Sequence, residues 1–273
     1  MKTKKIILPA FILIIAGIYS CQKDVSRNTG ANFPKSVTVF LTDHQTPVFD
    51  SVFIDIQKIE IKTEIDSTGA ESWTTLSIHP GVYNILRFRN GLDTLMASTG
   101  LPGGDIRKIR ITLGTQNAVM KNGVSSPLKL KDNDREVVIN IGELDFDLSS
   151  QGQAQFWIDF DAAGSIRVDN SGPGNNNGFE LRPHINIFGK NHSGGIEGKV
   201  FPAAAQPIVM TINGTDTTTA IPEREGEYKI MGLDEGTYKV ILAGSNGYLD
   251  TTLNNVTVRK GEDTHLPSIT LHQ

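Results

Sequence analysis

The run SVFIDIQKIEIK, residues 51–62, carries an apolar side chain at almost every second position, and that period constrains the chain more than any other feature. Val52, Ile54 and Ile56 share one parity, whereas Ile59 and Ile61 have the other. Successive side chains of a strand point to opposite faces, so an uncorrected phase change would turn half the strand inside out. One extra residue near Gln57 and Lys58, a β-bulge, restores all five to one face.

The same two-residue period runs through SVTVFLTD (Val37, Val39 and Leu41 against Thr38, Phe40 and Thr42), RKIRITL, REVVINI and AQFWIDFD. Between NAVM and VSSPLKL, the KNG at 121–123 offers Asn122 and Gly123 for the positive φ values of a tight hairpin. NGLDTLMAST is ambiguous: Leu92, Leu95 and Met96 stand at helical spacing, but Gly91 and Gly100 bracket them too closely for more than a short helix. Near the C-terminus, Tyr228 and Ile230, then Tyr238, Val240 and Leu242, alternate in two runs joined by a turn at Gly232–Gly236. The expected fold class is all-β: two tandem β-sandwich domains, 35–189 and 195–273, separated at KNHSGG, which reads by composition as a Gly and Ser linker where a protease would nick.

The N-terminus is of a different kind. Lys2, Lys4 and Lys5 precede an apolar core from Ile6 to Ile15, which Pro9 interrupts and which is too short to span about 30 Å of hydrocarbon. This is the form of a secretory signal, residues 1–20. It ends in IYSC, which resembles a bacterial lipobox although Tyr19 is bulky for it, and Cys21 is the sole cysteine of the chain. The resemblance implies a thioether-linked diacylglycerol on Cys21, a palmitate-bearing N-terminus, and membrane attachment through several acyl chains. Residues 21–34 then read as a polar tether. QKD after the cysteine resembles an outer-membrane sorting pattern, so the expected place is the outer membrane, lipid-anchored and facing the cell surface.

Several segments together carry a further resemblance. VTVFLTD, VFIDIQKIEI, GVYNILRFRNG, LPGGDIRKIRITL, DFDAAGSI and FELRPHINIF, in that order, resemble the bacterial domain of unknown function 4382 over Val37–Phe188. The resemblance implies a secreted β-sandwich with no activity to carry over. GIEGKVFPA and the alternating runs after Gly226 are similar to the carboxypeptidase regulatory-like domain, a transthyretin-type sandwich with a carbohydrate-binding-like fold; shape alone does not fix a function.

A net charge of -4, more acidic still once the three leader lysines are removed, argues against nucleic acid as a partner. The six histidines form no H-x-H or H-E-x-x-H pair, so no zinc enzyme is expected; nor is a nucleophile triad, a phosphate loop or a cofactor fingerprint visible, and no cofactor is expected. Paired carboxylates occur at Asp132 and Asp134, Asp145 and Asp147, and Asp159 and Asp161. An i, i+2 pair on a strand shares a face, which makes Asp159 and Asp161 the candidate metal ligands, with calcium as the ion; solvated faces and turn caps are the alternative. The turn-rich loop after Asp169, with Asn175, Asn176 and Asn177, and Tyr248 beside Gly247 are the candidate ligand contacts. Trp73 and Trp157 lie in strand-like runs and are expected in the interior rather than as sugar platforms.

The expected function is therefore a binding or structural role at the cell envelope without catalysis, with a glycan or another envelope protein as partner. Two alternatives stand beside it. A carbohydrate-binding accessory protein would need exposed aromatics, and a fimbrial subunit would need a removable N-terminal strand, for instance after Arg27.

Overall fold

The computed structural model describes residues 35–43, 48–64, 71–101, 105–141, 153–169 and 178–273. The proposed lipidation site Cys21 and the loop residues Asn175, Asn176 and Asn177 lie outside the described residues, as do Asp145 and Asp147.

Among the described residues thirteen strands build the N-terminal part: β1 Lys35–Thr42, β2 Ser51–Glu64, β3 Glu71–Thr75, β4 Gly81–Asn84, β5 Thr94–Leu101, β6 Asp105–Leu113, β7 Ala118–Lys121, β8 Val124–Leu130, β9 Glu136–Asn140, β10 Gln153–Phe160, β11 Ile166–Asp169, β12 Gly178–Leu181 and β13 Ile185–Gly189. They form a four-stranded sheet in the order β13-β10-β1-β5, and a nine-stranded one in the order β11-β12-β8-β7-β2-β6-β9, with β3 and β4 also paired to β2. The inward parity of each sheet supplies one core. Val37, Val39, Leu41, Phe156, Ile158 and Phe160 come from the first sheet, and Ile54, Ile59, Ile61, Ile109 and Ile111 from the second.

The bulge in β2 is where the phase change requires it. Ile56 pairs with Leu113 and Lys58 with Thr112, which leaves Gln57 as the extra residue, and all five apolar side chains from Val52 to Ile61 are buried. The KNG hairpin also forms, with Asn122 at φ 51° and Gly123 at φ 73°. NGLDTLMAST resolves as β5 rather than a helix. A register shift opposite Val39 and Phe40 lets Met96 and Ala97 both turn inward while Leu95 stays exposed, so the helical spacing is the trace of a bulged strand.

Eight strands follow: β14 Gly194–Phe201, β15 Ile208–Asn213, β16 Asp216–Ala220, β17 Glu227–Leu233, β18 Gly236–Ala243, β19 Thr251–Val258, β20 Asp263–His265 and β21 Ile269–Thr270. One sheet runs β17-β14-β20 with β21 also on β14, the other β16-β15-β18-β19. Their facing residues, among them Ile196, Val200, Val209, Tyr228, Ile230, Tyr238, Val240 and Leu242, make a second, smaller core.

KNHSGG is only half an exposed linker: Lys190 and Asn191 are exposed, but the rest packs. Ser193, Gly194 and Gly195 are buried, and the Ser193 hydroxyl donates to the Gly189 carbonyl at 3.0 Å. A Cβ on Gly194 would lie 2.4 Å from the Arg259 carbonyl oxygen, so this glycine serves close backbone approach rather than freedom. Among the described residues no helix is long and apolar enough to cross a membrane.

Candidate functional site

The outer face of the first sheet should meet water, yet its central row is aromatic. Phe40, Trp157 and Phe188 come level on β1, β10 and β13. Phe40 and Trp157 stack with centroids 5.1 Å apart, and Trp157 and Phe188 with centroids 5.8 Å apart. Trp157 is only 8% exposed and its indole N–H donates to Asp93 Oδ2 at 2.6 Å. The second sandwich covers the far end of the row. Gly232 of β17, at φ 73°, lets its backbone lie on the Phe188 ring, where a Cβ would come within 2.6 Å of a ring carbon.

The seam between the sandwiches is closed by residues 88–93. Phe88 fixes this segment to the end of β1, its carbonyl accepting from the Asp43 N–H at 2.8 Å and from the Thr42 hydroxyl at 3.1 Å. Asn90, at φ 53°, then reaches across. Its Nδ2 donates to the Ile221 carbonyl at 2.9 Å and to Glu223 Oε1 at 3.0 Å, while its Oδ1 accepts from the Lys229 N–H at 3.3 Å. Arg89 Nε donates to the same Glu223 oxygen at 3.3 Å. Gly91 leaves room for the Lys229 stem, since a Cβ there would sit 2.8 Å from Lys229 Cδ. Lys229 in turn contacts Asp263 and, at 2.8 Å, Glu197. Burial acts to lower its ammonium pKa, but these two carboxylates outweigh that and hold it above the ordinary lysine range.

Beneath the seam lies a buried acid that sequence spacing did not reveal. Parallel pairing sets Thr42 level with Asp159, which places Asp43 and Asp159 together at one end of the sheet. Asp43 is 5% exposed; its Oδ1 accepts from the Ala162 N–H at 3.2 Å, and its Oδ2 is buried without a hydrogen-bond partner. Burial, then the Asp159 and Asp161 charges, push the Asp43 carboxyl well above the usual range, against the Ala162 N–H and Arg89. Asp43 continues the buried parity of Val37, Val39 and Leu41 just past the end of β1, but only the cross-strand register shows that it meets Asp159.

The structure brings the candidates Asp159 and Asp161 to the same end of the sheet, beside Asp43, and leaves Asp169 and Tyr248 apart from them. Asp159 is fully buried on β10. Asp161 stands just beyond the strand and caps the single turn Ala162–Ser165, accepting from the Gly164 N–H at 2.8 Å, while its Oδ2 lies 3.2 Å from His184 Nδ1. Among the described residues no group of three or more His, Cys, Asp or Glu is placed to hold a metal ion. Asp169 ends β11 and pairs with Lys129 at 3.0 Å. Tyr248, expected to be exposed, is half-buried against the second core, because its backbone folds closely over Gly244. Trp73 is half-buried, with the Arg110 guanidinium 4.3 Å above its ring.

Between the sandwiches, beside the 88–93 segment, opens a cleft of ≈ 1150 Å³. Phe49, Leu86, Arg87 and Arg89 line it from the first sandwich, and Val200, Ile208, Pro222 and Arg224 from the second. No sequence period could mark it, since its walls come from loops and strand ends more than a hundred residues apart.

These features define a class: a tandem all-β protein whose two sandwiches share a seam and a cleft. The model of the domain of unknown function DUF4382 matches residues 35–183, more than half of the chain, and the chain belongs to that family. No curated protein matches it. Among solved structures it is similar to a type II cohesin–X–dockerin complex from Acetivibrio cellulolyticus (22% identity, 29% of this chain and 56% of that one, TM-score 0.24). It is also similar to GBS52, the minor pilin of Streptococcus agalactiae (10% identity, 86% of this chain and 94% of that one, TM-score 0.22), and to a fimbrial protein from Bacteroides ovatus (9% identity, 89% and 51%, TM-score 0.27). These superpositions are too loose to transfer a function.

Proposed function

We propose that the protein is a non-catalytic binding protein of the outer membrane, anchored through lipid on Cys21 and facing the cell surface, in which the two sandwiches act as one receptor. The division into a signal at 1–20, a tether at 21–34 and sandwiches at 35–189 and 195–273, the second of carboxypeptidase regulatory-like type, belongs to the same reading. The observation that carries it is the cleft, whose walls come from both sandwiches and whose geometry the Asn90 contacts hold in place. Ligand sites favour such inter-domain crevices. A receptor of this kind needs a preformed shape rather than an activated nucleophile, in keeping with a seam made of hydrogen bonds and stacked rings.

Two measurements test the reading. Metabolic labelling with a clickable palmitate should mark the wild type and not Cys21→Ala; equal label in both would end the lipid-anchor part. Thermal unfolding followed by tryptophan fluorescence, which reports the first sandwich, and by tyrosine absorbance should give coincident transitions, because the sandwiches share the seam. Two well-separated transitions would mean independent beads and no fixed cleft.

A further inference from the structure

We infer that the cleft between the sandwiches takes an extended acidic peptide segment of a partner protein, an assignment that rests on the shared-receptor reading above. Size comes first. At ≈ 1150 Å³ the cleft exceeds the usual span of small-molecule sites, about 300–1,000 Å³, and it suits an extended segment more than a compact ligand.

Charge comes next. Three guanidiniums line the cleft, from Arg87, Arg89 and Arg224, against the carboxylates of Asp50 and Glu223. Both carboxylates are already engaged: Asp50 Oδ2 accepts from the Gly123 N–H at 2.9 Å, and Glu223 Oε1 accepts from Arg89 and Asn90. Arg87 and Arg224 are exposed and have no ion-pair partner among the described residues. Two free planar forks in an otherwise acidic protein select for carboxylates.

The remaining wall separates a peptide from a sugar. Its apolar part is aliphatic, from Leu86, Leu92, Val200, Ile208 and Pro222, which matches peptide side chains. Its one aromatic ring, Phe49, is already occupied: Phe179 meets it edge-on at 5.6 Å and Lys121 lies 6.0 Å from its centre. A pyranose would find no open ring to stack on.

Selection from a random decapeptide display library on the lipidated full chain in detergent tests this, with binding of the most enriched peptide then read by fluorescence anisotropy. The enriched sequences should combine Asp or Glu with aliphatic residues. Replacing the acids by their amides should weaken binding at least tenfold, as should the double substitution Arg87→Ala, Arg224→Ala, and binding should fall with added salt. Arg259→Ala, at an exposed position outside the cleft lining, should leave affinity unchanged. Both cleft arginines are exposed, so the double variant should keep the wild-type melting temperature. Enrichment of basic or purely aromatic peptides, no enrichment at all, or indifference to the double substitution would overturn the assignment. Hexagalacturonate binding in the peptide's place, with the same arginine dependence, would overturn it in favour of an acidic glycan. If the transitions coincide and the peptides fail, the ligand class is wrong and the receptor reading stands; if the transitions separate, the receptor reading itself has failed.

Discussion

The two sandwiches solve the same packing problem with different margins. The second encloses a small core on its own terms: Tyr228, Ile230, Tyr238, Val240 and Leu242 face one another, and the charge it brings to the seam, Lys229, is paired within the same sandwich with Glu197 and Asp263. The first encloses a larger core but also places an aromatic row and two aspartates on or beside the outer face of its smaller sheet. That face is tolerable only where it is covered, by the 88–93 segment and by β17 of its neighbour. The lesson is an asymmetry: the first sandwich depends on the second more than the reverse.

Breaking the aromatic row should have the largest effect. Trp157→Ala removes two stacked contacts and the bond to Asp93, and should cost about 3–5 kcal/mol. It should lower the melting transition of the first sandwich well below that of the second. A uniform loss shared by both, or no separation, would show that the row is not what couples them.

Asn90→Ala is the next step down. It removes three hydrogen bonds across the seam and puts alanine at a left-handed φ, for about 1–3 kcal/mol. Hydrogen exchange should rise at residues 88–93 and along β17 while the interior of β2 stays protected. Faster exchange spread evenly over the chain would contradict a local role for the seam.

A pH scan sharpens the comparison, because each sandwich buries a group that favours its neutral form. Asp43 has a raised carboxyl pKa, so the stability tied to its protonation is present below the ordinary aspartate value, about 3.9, and is lost as pH rises from there through the folded value. Asp159, Asp161 and Arg89 surround it, with His184 beyond Asp161. Asp43→Asn removes that loss: the variant should melt higher than wild type at pH 7 and about equally at pH 3.5. A lower melting temperature at pH 7 would mean that the ionised carboxylate is needed.

Tyr228 is the counterpart in the second sandwich and the smallest expected effect. Burial pushes its phenol up to about 12, and its hydroxyl is buried without a hydrogen-bond partner. Its share of stability is present below about pH 10 and is lost as pH rises through the folded value. Tyr228→Phe should change neutral stability by less than about 1 kcal/mol and flatten the alkaline decline, read by melting between pH 8 and 11. An unchanged alkaline slope would assign the decline to other groups.

Much of the architecture follows from sequence alone. The period of two placed Val37, Val39 and Leu41 inside, the broken phase at Gln57 required a bulge, and Asn122–Gly123 required a turn, because a strand's side chains alternate and only a few residues accept positive φ. These are local constraints, each satisfied within a dozen residues. The seam and the cleft are not of that kind. Parallel pairing of β1 with β10 joined Asp43 to Asp159, Asn90 found its partners more than a hundred residues away, and the SGG of KNHSGG is packed rather than open. Composition cannot say whether a glycine gives freedom or close contact, and periodicity cannot say what covers a sheet's outer face. Both depend on which surfaces the folded chain brings together, so Arg87 and Arg224, unremarked as single residues, become the two open charges of a site only in three dimensions.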